Sequence, residues 1–213
     1  MSQTLSELLL WFPSIVFALT VHEFAHAWTA DRLGDPTPRA LGRVSLNPLV
    51  HLDPLGTLLI VLVHFGWGKP VPVDPRFLRQ PRRDMLYIAL AGPAANLTSA
   101  LVFGLLLRFG FDALIGGEYR PMVFHILSIT VLLSLILTFF NMIPVPPLDG
   151  SKVLTGLLPT ALVQPYQRYS GSLSWVLLFL IIAGRFTDTS LLGPLLWTPT
   201  RWIYTWLVGS NPF

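Results

Sequence analysis

Cysteine is absent from this chain of 213 residues, which excludes a disulfide framework, a thiol nucleophile and thiolate ligands, and leaves the redox compartment undefined. Charge is scarce too: Asp, Glu, Lys and Arg supply 12% of the residues, about half of what a soluble domain usually carries. Glutamate occurs only as Glu7, Glu23 and Glu118, and histidine only as His22, His26, His51, His64 and His125. The sequence contains neither an internal repeat nor a low-complexity linker. In place of all these stands apolar surface, with 53% hydrophobic residues and a mean hydropathy of +0.62. A net charge of +3 and a pI near 9.6 fit basic loops beside membrane spans, so a lipid bilayer is the expected partner and nucleic acid is not.

A hydrocarbon core about 30 Å thick takes roughly 20 apolar residues per helix, which leaves room for about four to six spans and little else. One membrane-embedded domain over residues 1–213 is expected. The first apolar segment, Leu8 to Ala30, is long enough to cross, and it opens with Glu7 instead of the basic start of a cleavable signal; it reads as a retained helix. Leu52 to Phe65, bounded by Pro54 and the turn residues of "GWGKP", is too short to cross comfortably and suggests a re-entrant segment. Met85 to Leu107 and Met122 to Ile143 have spanning length, and Leu173 to Ala183 is a further candidate. Leu191 to Val208, interrupted by Pro194, Pro199 and Arg201 and carrying Trp197, Trp202 and Trp206, suits a tilted or interfacial helix.

Basic loops tend to stay cytoplasmic. Arg32, Arg39 and Arg43 follow the first segment, and Lys69, Arg76, Arg79, Arg82 and Arg83 precede the third, so both loops are placed inside and the N-terminus outside. The fourth segment then returns inward and delivers "PPLDG" to the same side as the C-terminal part of the first.

That part reads "LTVHEFAHAWTADRLG", from Leu19 to Gly34. Residues four apart share a helix face, so His22 and His26 can aim imidazoles at one metal ion while Glu23 takes a proton from water at that ion, the HExxH arrangement of the zincins. Histidines satisfied by neighbouring polar groups are the plainer explanation, but burying His, Glu and His in apolar surroundings without a metal is expensive. A catalytic zinc site needs a third protein ligand and an open position. Glu7 and Glu118 fall on the outer side. His51, Asp53, His64 and Asp74 are nearer, in loops or the short second segment. Asp149 follows a spanning helix, precedes the turn-permitting Gly150 and is the preferred candidate, although N-capping of "GSKVLTGLL" would use it equally well.

"HEFAH", "AGPAAN" and "NMIPVPPLDG", the last holding Asn141, Pro144, Leu148, Asp149 and Gly150 in the pattern N-x-x-P-x-x-x-L-D-G, resemble the motifs of the site-2 protease family, membrane-embedded zinc metalloproteases of regulated intramembrane proteolysis. "GDPTPRALGRVSLNPLVHLDPLGT" and "GWGKPVPVDP" extend the similarity over roughly residues 8–158. The chain is similar to the minimal branch of that family, with neither the PDZ-like insertion nor the CBS pair of other branches. The resemblance implies one Zn2+ on His22, His26 and Asp149, and Glu23 as the general base. It also implies a transmembrane protein substrate, most simply a single-span one, and a prokaryotic plasma membrane. The implied fold is an all-α polytopic membrane protein of about five to six membrane helices or re-entrant segments, with a short β-like loop near the active site. Its motif-bearing core covers about 8–158 and its C-terminal helices about 170–210.

Other positions have two readings each. Asn141, which in the family lies by the active site, can orient substrate or donate to an oxyanion, or it can bridge backbone groups freed by Pro144. In "KPVPVDP", Val71 and Val73 keep N–H groups on one edge of an extended stretch whose other donors Pro70 and Pro72 remove, so that edge can pair with an extended peptide; a plain proline-rich turn is the alternative. Gly92, Ala94 and Ala95 suit close helix packing, and Asn96 suits a hydrogen bond across the bundle or an orienting role beside the metal. His64 and His125 read as structural, and Trp11, Trp197, Trp202 and Trp206 as interfacial anchors. A catalytically silent adaptor of the same fold is the main functional alternative, opposed by the presence of His22, Glu23, His26 and Asp149. A metal transporter is opposed by the lack of ligands between Met85 and Leu107, and a protease with a glutamate ligand by the shortage of glutamates.

Overall fold

The computed structural model describes residues 2–63, 66–186 and 192–209. The helices are α1 (Ser2–Arg32), α2 (Thr37–Ala40), α3 (Pro54–Val63), α4 (Pro81–Leu105), α5 (Phe111–Leu114), α6 (Arg120–Asn141), α7 (Asp149–Leu157), α8 (Thr160–Phe186) and α9 (Gly193–Val208). Among the described residues there is no sheet, only an antiparallel bridge between Leu52 and Gly68. A widened turn over Leu106–Gly110 joins α4 to α5. Among the described residues, two stretches, Pro81–Leu114 and Arg120–Asn141, are long and apolar enough to cross a membrane, with mean hydropathies of 1.6 and 2.4.

Helix α3 is as short as the sequence suggests, whereas α8 is longer than its apolar run. The ten residues of α3 rise about 15 Å, half of a hydrocarbon core, and the Leu52–Gly68 bridge brings the chain back to where α3 began. His64 and Phe65 lie outside the described residues. Helix α8 starts at Thr160, well before the apolar run from Leu173, because Gln164, Gln167 and Arg168 are good helix formers that extend it past the hydrophobic stretch.

Helices α1, α4 and α6 pack against one another pairwise. Small hydroxyl residues tie them where apolar driving force alone would not in a membrane. The Ser14 hydroxyl donates to the Ile126 carbonyl at 3.1 Å and accepts from the Thr130 hydroxyl at 3.0 Å. Thr138 of α6 donates to the Pro93 carbonyl of α4 at 3.2 Å. Ala100, Val131, Leu132 and Leu135 form the adjoining core with Tyr204, Leu207 and Val208 of α9. A Cβ at Gly104 would stand 2.8 Å from that of Leu207, so glycine sets the close approach of α9 to α4.

Helix α7 is carried back onto the start of α4. A Cβ at Gly156 would lie 2.7 Å from the Leu86 side chain. The Arg82 guanidinium donates to the carbonyls of Leu158 and Thr155 at the end of α7, where unpaired carbonyls favour a cation. The first residue of α7 thereby comes to rest against the second half of α1.

Candidate metal centre

His22 and His26 point from one face of α1 into the bundle, and both are buried. Their Nε2 atoms stand 3.0 Å apart, and the Oδ2 atom of Asp149 is 3.1 Å from each. The three atoms form a nearly equilateral triangle from residues more than 120 positions apart in sequence. Asp149 is the first residue of α7, after Leu148 as N-cap; its Oδ2 faces the two histidines, and no capping hydrogen bond to it is seen among the described residues. Gly150 makes that geometry possible: any Cβ there would collide with the carbonyls of Met142 and Ile143 in the turn that ends α6. The other carboxylate oxygen, Oδ1, lies 3.9 Å from Lys152 Nζ.

Protonation follows from the outer partners. His26 Nδ1 is 2.7 Å from the Ile88 carbonyl, which only accepts, so Nδ1 carries the proton and the Nε2 lone pair faces the triangle. His22 Nδ1 is 3.2 Å from the buried amide of Asn96, whose nitrogen faces the ring while its Oδ1 has no partner. Exchanging the two ends of that amide turns its oxygen toward Nδ1–H and frees the Nε2 lone pair of His22 in the same way. Two imidazole lone pairs and a carboxylate oxygen then converge, an arrangement that calls for a cation. The donor set fits one zinc ion: a tetrahedral face at zinc–ligand distances of about 2.0–2.1 Å has edges of roughly 3.3 Å, close to those observed. Gly92 of α4 clears the space, since a Cβ there would be 2.7 Å from Cε1 and Nε2 of His22 and nearer still to Nε2 of His26.

The triangle opens on a cleft of about 380 Å³ that Glu23, Val71, Val73 and Asn141 also line. The far wall comes from α8 through Ser174, Leu177 and Ile181. Glu23 lies along Gly68, at which a Cβ would be 3.7 Å from Cγ and Oε1 of Glu23. The chain after Gly68 is held at both ends, and Pro70 and Pro72 bias the residues before them toward extended backbone. Arg43, buried, donates to the carbonyls of Lys69 and of Pro70, the latter at 3.1 Å; Lys69 N–H donates to the His51 carbonyl at 2.7 Å. Asp35, fully buried, accepts from Asp74 N–H at 2.7 Å and Thr37 N–H at 2.9 Å. Among the described residues, the N–H groups of Val71 and Val73 have no partner, and no strand forms there.

Each candidate from the sequence has a definite place, His64 excepted, which lies outside the described residues. His22, Glu23, His26, Asn141 and Asp149 share the cleft, with Val71 and Val73 across from them. Asn96 sits behind His22 instead of in the cleft. Asn141 donates to the Leu137 carbonyl of its own helix at 3.1 Å. Pro144 is outside the cleft, its carbonyl taken by the Tyr166 hydroxyl at 3.1 Å. The other ligand candidates have local duties: His51 Nε2–H donates to the Ser45 carbonyl at 2.7 Å, Asp53 accepts from Gly56 N–H at 2.8 Å, and Asp74 accepts from Arg76. Lys152, the α8 wall and the Ile88 carbonyl were not anticipated. A backbone carbonyl has no signature in sequence, whereas Gly92 was visible but read only as helix packing.

Residues 115–184, a segment that includes Asp149, match peptidase family M50. The chain is 38% identical over 148 residues to YwhC of Bacillus subtilis (strain 168), provisionally named a zinc metalloprotease, with 68% of each chain covered. It is 32% identical over 146 residues to Rip2 of Mycolicibacterium smegmatis, which carries the same provisional name, covering 65% of this chain and 53% of that one. The figures for Rip2 of Mycobacterium tuberculosis (strain H37Rv) are 33% over 143 residues, 64% and 52%, so the match spans about half the length of the Rip2 proteins. No solved structure matches the chain significantly.

Proposed function

The chain belongs to peptidase family M50, and from that premise we propose that it is a zinc-dependent endopeptidase cutting membrane proteins within or next to their transmembrane segments. The observation that carries the reading is the buried triangle of His22, His26 and Asp149 with Glu23 beside it on one cleft. His22, His26 and Asp149 hold the ion, and Asn96 and the Ile88 carbonyl orient the two imidazoles. When bound, zinc supplies Lewis acidity, polarising the peptide carbonyl and making water acidic near neutral pH. Glu23 accepts a proton from the attacking water as the new C–O bond forms, then delivers it to the amine nitrogen as the C–N bond breaks. Asn141 lies within the cleft to orient the substrate backbone.

A transmembrane helix must unwind before it is cut, and its freed carbonyls then need donors. Val71 and Val73 offer two on an extended chain clamped by Arg43 and Asp35, which supports docking of the substrate as an added strand. We place the domain in the membrane as about five to six spanning or re-entrant segments, with α4 and α6 as its most apolar members. The centre faces the cytoplasm and the N-terminus lies outside, in a prokaryotic plasma membrane, as the basic residues around the centre favour. The substrate is a single-span protein.

The test compares purified wild type with Glu23→Gln, His22→Ala and His26→Ala on a single-span model substrate in vesicles. Wild type cleaves; Glu23→Gln retains about one zinc per chain and does not; the alanine variants lose both. Absence of cleavage by the zinc-loaded wild type would instead favour a helix-binding adaptor, and metal loss in Glu23→Gln would overturn the division of roles.

A further inference from the structure

The outward face of α9 carries a pattern unrelated to the cleft. Thr198, Arg201, Trp202, Thr205 and Trp206 recur at helical steps of three and one, so they form a single stripe. All are exposed, Trp202 at 74% and Trp206 at 62%, and none lines the cleft of the metal centre. The opposite face of α9, with Thr200, Tyr204, Leu207 and Val208, is buried.

Arg201 stands midway along α9. Near one end of α9, Leu192 and Leu196 pack against the cluster of Ile143, Leu148 and Leu177 beside the centre. At the other end Leu207 lies on Gly104, and the Arg108 guanidinium donates to the Trp206 carbonyl. Arg201 is five residues from Leu196 and five from Trp206, about 7.5 Å along the axis from either. The buried face of α9 meets Val131, Leu132 and Leu135, halfway along α6, one of the two stretches of membrane-crossing length. With the bundle placed in the membrane as proposed above, the guanidinium stands level with the middle of α6, on the side turned away from the bundle. Among the described residues no carboxylate is within ion-pair distance of it. An intramembrane charge without a partner is strongly disfavoured and marks a contact yet to be made.

We propose that this stripe docks a transmembrane helix of a second protein that carries an Asp or Glu near the middle of its span. The carboxylate pairs with Arg201; the indoles of Trp202 and Trp206, on this proposal facing the partner helix instead of anchoring at the membrane interface, cover the apolar turns on either side, and Thr198 and Thr205 supply hydrogen bonds across the contact. Among the described residues, a second copy of this chain offers no suitable anion. Its described carboxylates lie at the metal centre, in loops or at helix ends, and a two-fold axis through the stripe would set Arg201 against its own image. A lipid phosphate sits at the headgroup level, well above mid-depth.

The experiment uses the full chain in phosphatidylcholine vesicles with a leucine-rich single-span probe that carries one central Asp and a neighbouring photo-crosslinking residue. Crosslinks should map to the α9 stripe. Replacing the probe Asp by Leu, or Arg201→Leu in the protein, should lower the yield by about five- to thirtyfold. Arg201→Lys should keep most of it, and Arg201→Asp should bind a probe with a central Lys; these two variants keep the test decisive if Arg201→Leu fails to fold. A yield indifferent to Arg201→Leu, no capture of the Lys probe by Arg201→Asp, crosslinks only between copies of the chain, or dependence on anionic lipid instead of the probe carboxylate would each overturn the proposal.

Discussion

Asp149 is where a single side chain separates two physical roles. Among the described residues its carboxylate caps nothing, and it faces His22 and His26, so Asp149→Asn leaves α7 intact while removing an anionic donor from the triangle. Zinc affinity should fall by more than the roughly 10–100-fold that loss of an outer-shell partner costs, and the melting temperature of the chelator-treated protein should not drop below that of equally treated wild type. Equilibrium dialysis and thermal unfolding with and without chelator measure the two separately. Unchanged affinity would remove Asp149 from the ligand set. His51 shows the opposite use of an imidazole. It is fully buried, Nε2–H serves the Ser45 carbonyl, and Nδ1 has no partner. Burial, reinforced by the nearby Arg43 charge, pushes its pKa below the ordinary value. A histidine depressed in the folded state contributes its full stability above the unfolded value of about 6.5, and that contribution is lost as pH falls below it, because the unfolded chain takes the proton first. Thermal unfolding from pH 8 down to pH 5 should therefore drop more steeply in wild type than in His51→Gln. Equal slopes would show that His51 does not hold the loop as a neutral ring.

The extended loop between Gly68 and Asp74 owes its shape to residues outside it. Arg43 reaches two of its carbonyls, and Asp35 holds Asp74 N–H. Arg43→Met leaves the Lys69 and Pro70 carbonyls without their donor, at about 1–3 kcal/mol of local stability. The expected outcome is a raised KM for a membrane substrate with zinc stoichiometry unchanged, partly restored by Arg43→Lys. A fall in zinc content with no change in KM would mean that the loop supports the metal centre and not the substrate. The prolines of "KPVPVDP" left an extended edge and a plain turn both open in the sequence, and the clamps come from Arg43, read there only as part of a basic loop, and from Asp35, which the sequence did not single out. The same limit applies to α8. Its apolar run marked it as a helix, yet only its contacts with the turn before Asp149, such as the Ser174 hydroxyl donating to the Pro146 carbonyl at 2.7 Å, make it a wall of the cleft.

Across the whole molecule, orientation is the property most open to direct measurement. The chain has no cysteine, so one introduced beside Arg39 or Arg79 is the sole thiol. In intact cells it should resist an impermeant maleimide and should react once the membrane is permeabilised. Labelling from outside would reverse the topology and put the metal centre on the other face. The bundle itself is held by small contacts between distant helices, Ser14 with Thr130, Thr138 with Pro93 and Gly104 with Leu207, and together these set where the His22–His26–Asp149 triangle and the α9 stripe lie along the bundle.

By itself the sequence determined the helical, apolar character of the chain, the pairing of His22 and His26 on one face, and Glu23 next to them. These follow from composition and from the 3.6-residue helical period, which are local. It narrowed the third ligand without choosing between ligation and capping, because an aspartate at the start of a helix is suited to both. The placement belongs to the tertiary structure: Gly150 lets the chain fold tightly back under the carbonyls of Met142 and Ile143, Gly92 clears the space on α4, and Asp149 Oδ2 arrives 3.1 Å from both imidazoles, where the Asp149→Asn measurement tests ligation. The outer partners of the histidines, the clamps on the loop and the exposed guanidinium of Arg201 were likewise decided only by packing, since each depends on which surfaces of distant helices meet.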